Sequence, residues 1–196
     1  PELAERLGGA EMCIRDRSGN ATLVNATGIE FGSSTVDGNL SATATTGNLT
    51  EEETVTVSGT ASFTTGADDA DITLDELAVT DDITVTTNGS SGDVTLVNAT
   101  GIDFAESTVD GNLSVTATAA LTDSGTMTVS GTSTFTNTAG SSAAITLDSS
   151  GNAFTGVVTF VTDSGSSVTI VDTTAFDLQA LTVASLAVTA GGPITD

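Results

Sequence analysis

The chain has no Trp, no Tyr, no His and no Lys, and seven Phe are its only aromatic residues. A globular sandwich of 196 residues normally fills a thick interior with large rings. Small aliphatic residues in short runs suit a thin core instead. Positive charge is almost as scarce: Arg6, Arg15 and Arg17 stand against 26 acids. Four of those acids (Glu2, Glu5, Glu11 and Asp16) precede residue 18, which leaves 22 negative charges and no positive one in residues 18–196. Such a surface repels phosphate backbones and anionic headgroups, which excludes nucleic acid as a partner. It also denies the fold any ion pair beyond Arg17. The single cysteine, Cys13, excludes a disulfide framework and a cysteine-based metal centre. Its isolation is compatible with export. Two Pro and 21 Gly exclude collagen and proline-rich linker. No apolar run approaches the ~18 residues of a membrane span, so no membrane insertion is expected. Position 1 is not an initiator Met and no signal peptide follows it; the chain reads as an internal piece of something longer.

What is present is repetition. The stretch Thr22 to Ser41 recurs from Thr95 to Ser114 with three differences, Glu30/Asp103, Gly32/Ala105 and Ser33/Glu106. The offset, 95 − 22, is 73 residues. Thr54-Val55-Thr56-Val57-Ser58-Gly59 returns as Thr126-Met127-Thr128-Val129-Ser130-Gly131, and Ile72-Thr73-Leu74-Asp75 as Ile145-Thr146-Leu147-Asp148. A fixed period marks an array. Copy one spans about 18–90 and copy two about 91–163. A partial third copy covers about 164–196. Residues 1–17 stand apart. Pro1–Leu7 is weakly helical in pattern. Met12-Cys13-Ile14-Arg15-Asp16-Arg17 resembles a translated sequencing adapter, so this end reads as a non-native assembly scar rather than a native helical or disordered segment.

Within each copy short segments alternate with period 2, among them Val94-Leu96, Ile102-Phe104, Leu113-Val115 and Met127-Val129. β-Branched residues support strands there. Asp37-Gly38-Asn39, Asn88-Gly89, Asp110-Gly111-Asn112, Ser130-Gly131 and Gly151-Asn152 mark turns, where left-handed backbone is expected. The pattern predicts an all-β chain. A sub-period of about 18–24 residues and the thin core favour a single-stranded parallel β-helix, or β-solenoid, over serial sandwiches. Equivalent acids such as Asp37 and Asp110 are then expected about four coils apart, beyond the ~8 Å screening length at physiological salt.

The succession Val94-Thr95-Leu96, Gly111-Asn112-Leu113-Ser114-Val115-Thr116-Ala117 and Leu121-Thr122-Asp123-Ser124-Gly125 resembles large secreted bacterial adhesins of the filamentous haemagglutinin-like type. So do Val129-Ser130-Gly131-Thr132-Ser133-Thr134-Phe135 and Gly151-Asn152-Ala153-Phe154-Thr155-Gly156. The likeness spans residues 18–196. It implies a right-handed coil, export to the surface of a Gram-negative cell, and a role in adhesion or biofilm. The partners would be host-surface or matrix glycans and proteins, bound through regions outside this chain. Unpaired strand edges imply end-to-end self-association.

No catalytic, cofactor-binding or metal-binding residue is assigned. Asp68-Asp69 with Asp71, and Asp81-Asp82, offer oxygens suited to Ca²⁺, but Ser141-Ser142-Ala143-Ala144 replaces the first group in copy two, so solvated turns are expected. Asp103 and Glu106 could serve glycoside cleavage, yet no aromatic or basic platform accompanies them. Thr54-Val55-Thr56, Thr84-Val85-Thr86 and Thr126-Met127-Thr128 have the spacing of flat ice-binding faces, and are expected to be plain outward threonines that do not recur at every coil. Asn98-Ala99-Thr100 matches a glycosylation triplet by composition. The expectation is therefore not an enzyme but an adhesin stalk. A carbohydrate-active β-helix and a Ca²⁺-stabilised solenoid are the alternatives.

Overall fold

The computed structural model describes residues 5–6, 11–13, 19–138 and 143–196. Most of residues 1–17, the segment read as foreign, lies outside these. Its two described pieces, β1 (Glu5–Arg6) and β2 (Glu11–Cys13), are extended, where a weak helix was expected over Pro1–Leu7. The described residues contain no helix.

Two long sheets carry the fold. The first stacks β1, β2, β4 (Ile29–Phe31), β7 (Leu49–Glu51), β10 (Ile72–Val79), β12 (Val94–Asn98), β15 (Leu113–Ala117), β18 (Ser133–Asn137) and β21 (Val158–Val161). On its flank β5 (Ser34–Val36) pairs with β8 (Val55–Val57), which pairs with β10. The second begins β3 (Ala21–Asn25), β6 (Leu40–Ala44), β9 (Ala61–Thr65), β11 (Ile83–Thr86). From β11 one branch runs β13 (Ile102–Phe104), β16 (Leu121–Asp123), β19 (Ile145–Leu147), β22 (Ser167–Asp172), β24 (Ser185–Ala190). The other runs β14 (Ser107–Val109), β17 (Met127–Val129), β20 (Ala153–Phe154). A small third sheet pairs β23 (Phe176–Asp177) with β25 (Ile194–Thr195). Among the described pairs all are parallel except β1 with β2. The chain is a β-solenoid of about 8 turns. Strands inside the stack bond to the coil before and the coil after, a rung of ~4.8 Å. One coil takes from 18 residues (Val168 over Leu186) to 25 (Ser133 over Val158).

The core is as thin as the composition requires. Alternate residues point in: Val94, Leu96 and Asn98 of β12 are buried while Thr95 and Val97 face out. One apolar cluster runs from Leu23 to Phe176. The few rings are concentrated in it. Phe31 meets Phe63 edge-on at 6.3 Å, and Phe135 stacks on Phe160 at 5.8 Å with Phe154 edge-on at 5.8 Å.

The 73-residue period is not a whole number of coils. Along the second sheet the steps run Ala21, Leu40, Ala61, Ile83, Phe104. Val94, the copy-two equivalent of Ala21, falls between the last two. A copy is therefore three and a half coils, and each equivalent strand changes sheet. β3 is in the second sheet and β12 in the first; β4 is in the first and β13 in the second; β6 and β15 exchange likewise. The four-coil separation expected for Asp37 and Asp110 is corrected accordingly. Copies repeat their surfaces on alternating sides of the shaft.

One further expectation is corrected in part. Among the described glycines only Gly19 and Gly89 have φ in the left-handed region, at 145° and 115°, so Gly89 is as expected and the corner glycines Gly38, Gly111 and Gly131 are not. Their reason is contact between coils. A Cβ on Gly131 would lie 2.5 Å from the carbonyl oxygen of Gly111, and one on Gly59 2.9 Å from that of Gly38. The Thr-x-Thr pair does not recur at every coil, since Thr84 pairs with Ser62 and Thr56 with Ala78, but single outward threonines do align. Thr50, Thr73, Thr95, Ser114, Thr134 and Thr159 form one column on the first sheet. Thr43, Thr64, Thr86, Thr108 and Thr128 form another on the second.

Candidate functional site

The aspartates singled out as possible Ca²⁺ ligands lie between strands. Asp69 has φ 60°, a left-handed turn residue, and its carboxylate accepts from the Ser91 hydroxyl. Asp71 Oδ1 accepts from the Asp93 amide at 2.9 Å. Asp93 Oδ1 in turn accepts from the Asn112 amide at 2.7 Å, and Asn112 Oδ1 from the Thr132 amide at 2.9 Å. Asn20, Asn39 and Thr60 make the same ladder in copy one, at 3.0 and 3.1 Å. These side chains cap backbone N–H groups of the next coil at the corners. Asp71 and Asp93 thus sit in consecutive coils, so some acids of the array are neighbours along the axis. Among the described residues no three His, Cys, Asp or Glu side chains close on one point. Asp81 is exposed, and the Asp82 carbonyl accepts from the Ala61 amide at 2.9 Å. Asp103 is half-buried on β13 with its Oδ1 shielded from solvent, and Glu106 lies in the exposed turn before β14.

The glycosylation triplet has a structural occupation. Asn98 is fully buried. Its Oδ1 accepts from the Val79 amide at 2.8 Å, and its Nδ2 donates to the carbonyls of Val79 at 3.0 Å and Gly101 at 2.7 Å. It fills the seam where a five-residue strand of one copy lands on β10 of the other, whose register shifts between Leu74 and Leu77. The next seam repeats this. There Asp172, equally buried, accepts from the Phe154 amide at 3.1 Å and the Thr174 amide at 3.0 Å. Asn25, at the corresponding position of copy one, keeps the bond to its own turn, Nδ2 to Gly28 O at 2.7 Å, but is only half-buried.

One group escaped sequence reasoning. Glu51 ends β7 in the inward register above Phe31. Burial pushes its carboxyl up to about 7, the charges of Asp75 and Glu76 add to the rise, and the Glu76 amide opposes it. Nothing in the sequence marks it, because the run Glu51-Glu52-Glu53 reads as a solvated turn. Only the next coil, laid over it, buries the first of the three.

A shallow open depression beside Gly28, Glu30, Gly47 and Asn48 lies at a corner of the same coils. It brings neither a nucleophile with a base nor a paired acid and base. What the arrangement does is physical: a regular ladder with polar corners and an anionic exterior.

No curated protein and no solved structure matches the chain. A family model does, three times in succession, over residues 18–88, 91–161 and 165–196. These spans agree with the three copies read from the 73-residue period. The chain therefore belongs to the family described as repeats of unknown function (DUF5649).

Proposed function

We propose that the chain is a stalk segment of a secreted or cell-surface bacterial adhesin, a spacer that holds a binding region away from the cell. The observation behind this is the unbroken parallel ladder through about 8 turns. At ~4.8 Å per rung it extends on the order of 40 Å. Every internal coil is bonded to both neighbours, so the shaft resists bending and leaves few loops for proteases. The lack of a cleft with paired chemical groups among the described residues fits a mechanical role. The excess of 22 acids in residues 18–196 fits a surface that stays hydrated and repels its own kind. Adhesin class and surface location rest on the sequence resemblance.

The test is surface accessibility. An antibody raised against residues 18–196 should label intact cells that express the native protein. Deleting one 73-residue copy in frame should weaken attachment and leave protein level unchanged. Labelling only after lysis would sink the proposal.

A further inference from the structure

Glu51 and Asp123 are equivalent positions with different environments, and the difference lies in the coil above each. In copy two, Asp123 Oδ1 accepts from the amides of Asp148 at 2.8 Å and Ser149 at 3.3 Å, and Oδ2 from Asn152 Nδ2 at 2.5 Å. Asn152 is fully buried and its Oδ1 also accepts from the Met127 amide at 2.8 Å. Both carboxylate oxygens are partnered. In copy one the register places Ala78 opposite Thr56 as Ala153 is opposite Thr128, so Leu77 occupies the position of Asn152. Leucine donates nothing. Glu51 Oε1 accepts from the Glu76 amide, while Oε2 is buried with no partner.

The charges around this oxygen share its sign. Asp75 and Glu76 lie on the irregular stretch of β10 above it, between Leu74 and Leu77. Glu52 and Glu53 follow in the same chain, and β4 below contributes Glu30 beside Phe31. Residues 18–196 hold no Lys, Arg or His to compensate. An ionised Glu51, though bonded by the Glu76 amide, would keep a half-buried charge beside two carboxylates; the neutral acid would not.

We propose that Glu51 is a proton-operated latch between the coil of β7 and the coil of β10. Protonated, it holds the Asp75–Glu76 bulge down on β7. Ionised, it releases that bulge, while the Asp123 corner of copy two stays closed. The proposal is independent of the stalk assignment. Its sign follows from a carboxyl raised from 4.5 to about 7. The stabilisation is fully present below the unfolded value and is lost as pH rises through the folded one.

The experiment is a carboxyl-carbon NMR titration of the full chain, with hydrogen exchange of the Glu76 and Asp148 amides at pH 5 and pH 8 corrected for intrinsic rates. Glu51 should titrate near neutrality. Glu76 protection should fall at least ~10-fold across that range, a figure kept below the full shift because the group is partly exposed. Asp148 protection should hold. Glu51→Gln should abolish the fall, and Leu77→Asn, which restores a donor, should move the Glu51 titration back down. A Glu51 that titrates in the ordinary carboxylate range overturns the latch, whatever the variants do. So does an equal loss of Glu76 protection in Glu51→Gln, which would assign it to general charge repulsion.

Discussion

Leu113–Asp123 and Leu186–Asp196 are the same passage written twice, and they live in different surroundings. Both begin Leu-x-Val-Thr-Ala and end Thr-Asp. Both form a longer strand followed by a short one, β15 with β16 and β24 with β25. In the middle of the shaft Leu113, Val115 and Leu121 are 1%, 0% and 0% exposed. In the third copy Leu186 is 43% exposed and Ile194 57%. β15 has β12 on one side and β18 on the other, whereas β24 has only β22 among the described strands. A strand in this fold is never buried by its own residues. Burial is conferred by the next coil, so corresponding residues such as Leu113 and Leu186 carry different energy at different heights.

The sharpest way to break that comparison is to truncate both leucines. Leu113→Ala should cost ~2–5 kcal/mol, and Leu186→Ala under ~1 kcal/mol, in denaturant unfolding. Equal costs would mean that the third copy is covered in solution, which end-to-end self-association would achieve. The seam residues give a second, smaller contrast. Asn98→Ala strands the buried N–H of Val79 and should cost ~1–3 kcal/mol, while Asn25→Ala should cost less than half as much. Corner glycines are a third: Gly131→Ala forces a methyl against the Gly111 carbonyl and should cost ~1–3 kcal/mol, read as a lowered melting temperature. Hydrogen exchange sharpens the picture without mutation, since amides of 113–117 should outlast those of 185–190. The mildest effect is electrostatic. Raising salt from 10 to 150 mM should stabilise the chain slightly, because it screens acids such as Asp71 and Asp93 that sit one coil apart.

The candidate chemistry was legible only as absence. Asp68, Asp69, Asp71, Asp81 and Asp82 read as turns and lie between strands. Asn98 read as a chance triplet, and its role at the seam follows from β12 landing on β10, a contact 19 residues away in sequence. Glu51 was invisible for the same reason: Glu51-Glu52-Glu53 has no local signal that one carboxyl is covered by the Asp75–Glu76 stretch of the next coil. The threonine columns were not legible because the sequence shows Thr-x-Thr within a strand, while the alignment between strands depends on coil lengths that vary from 18 to 25 residues.

The sequence alone determined the array, the all-β character, the thin core and the anionic exterior. Alternation with period 2, a 73-residue repeat, the lack of Trp and Tyr and the lack of basic residues beyond Arg17 are local or compositional facts, and they need no partner to be true. Tertiary structure alone decided that the repeat spans three and a half coils. That number is the quotient of repeat length and coil circumference, and circumference is set by how tightly each corner packs on the one below. From it follow the exchange of sheets between copies, the seams held by Asn98 and Asp172, and a Glu51 left short of a donor.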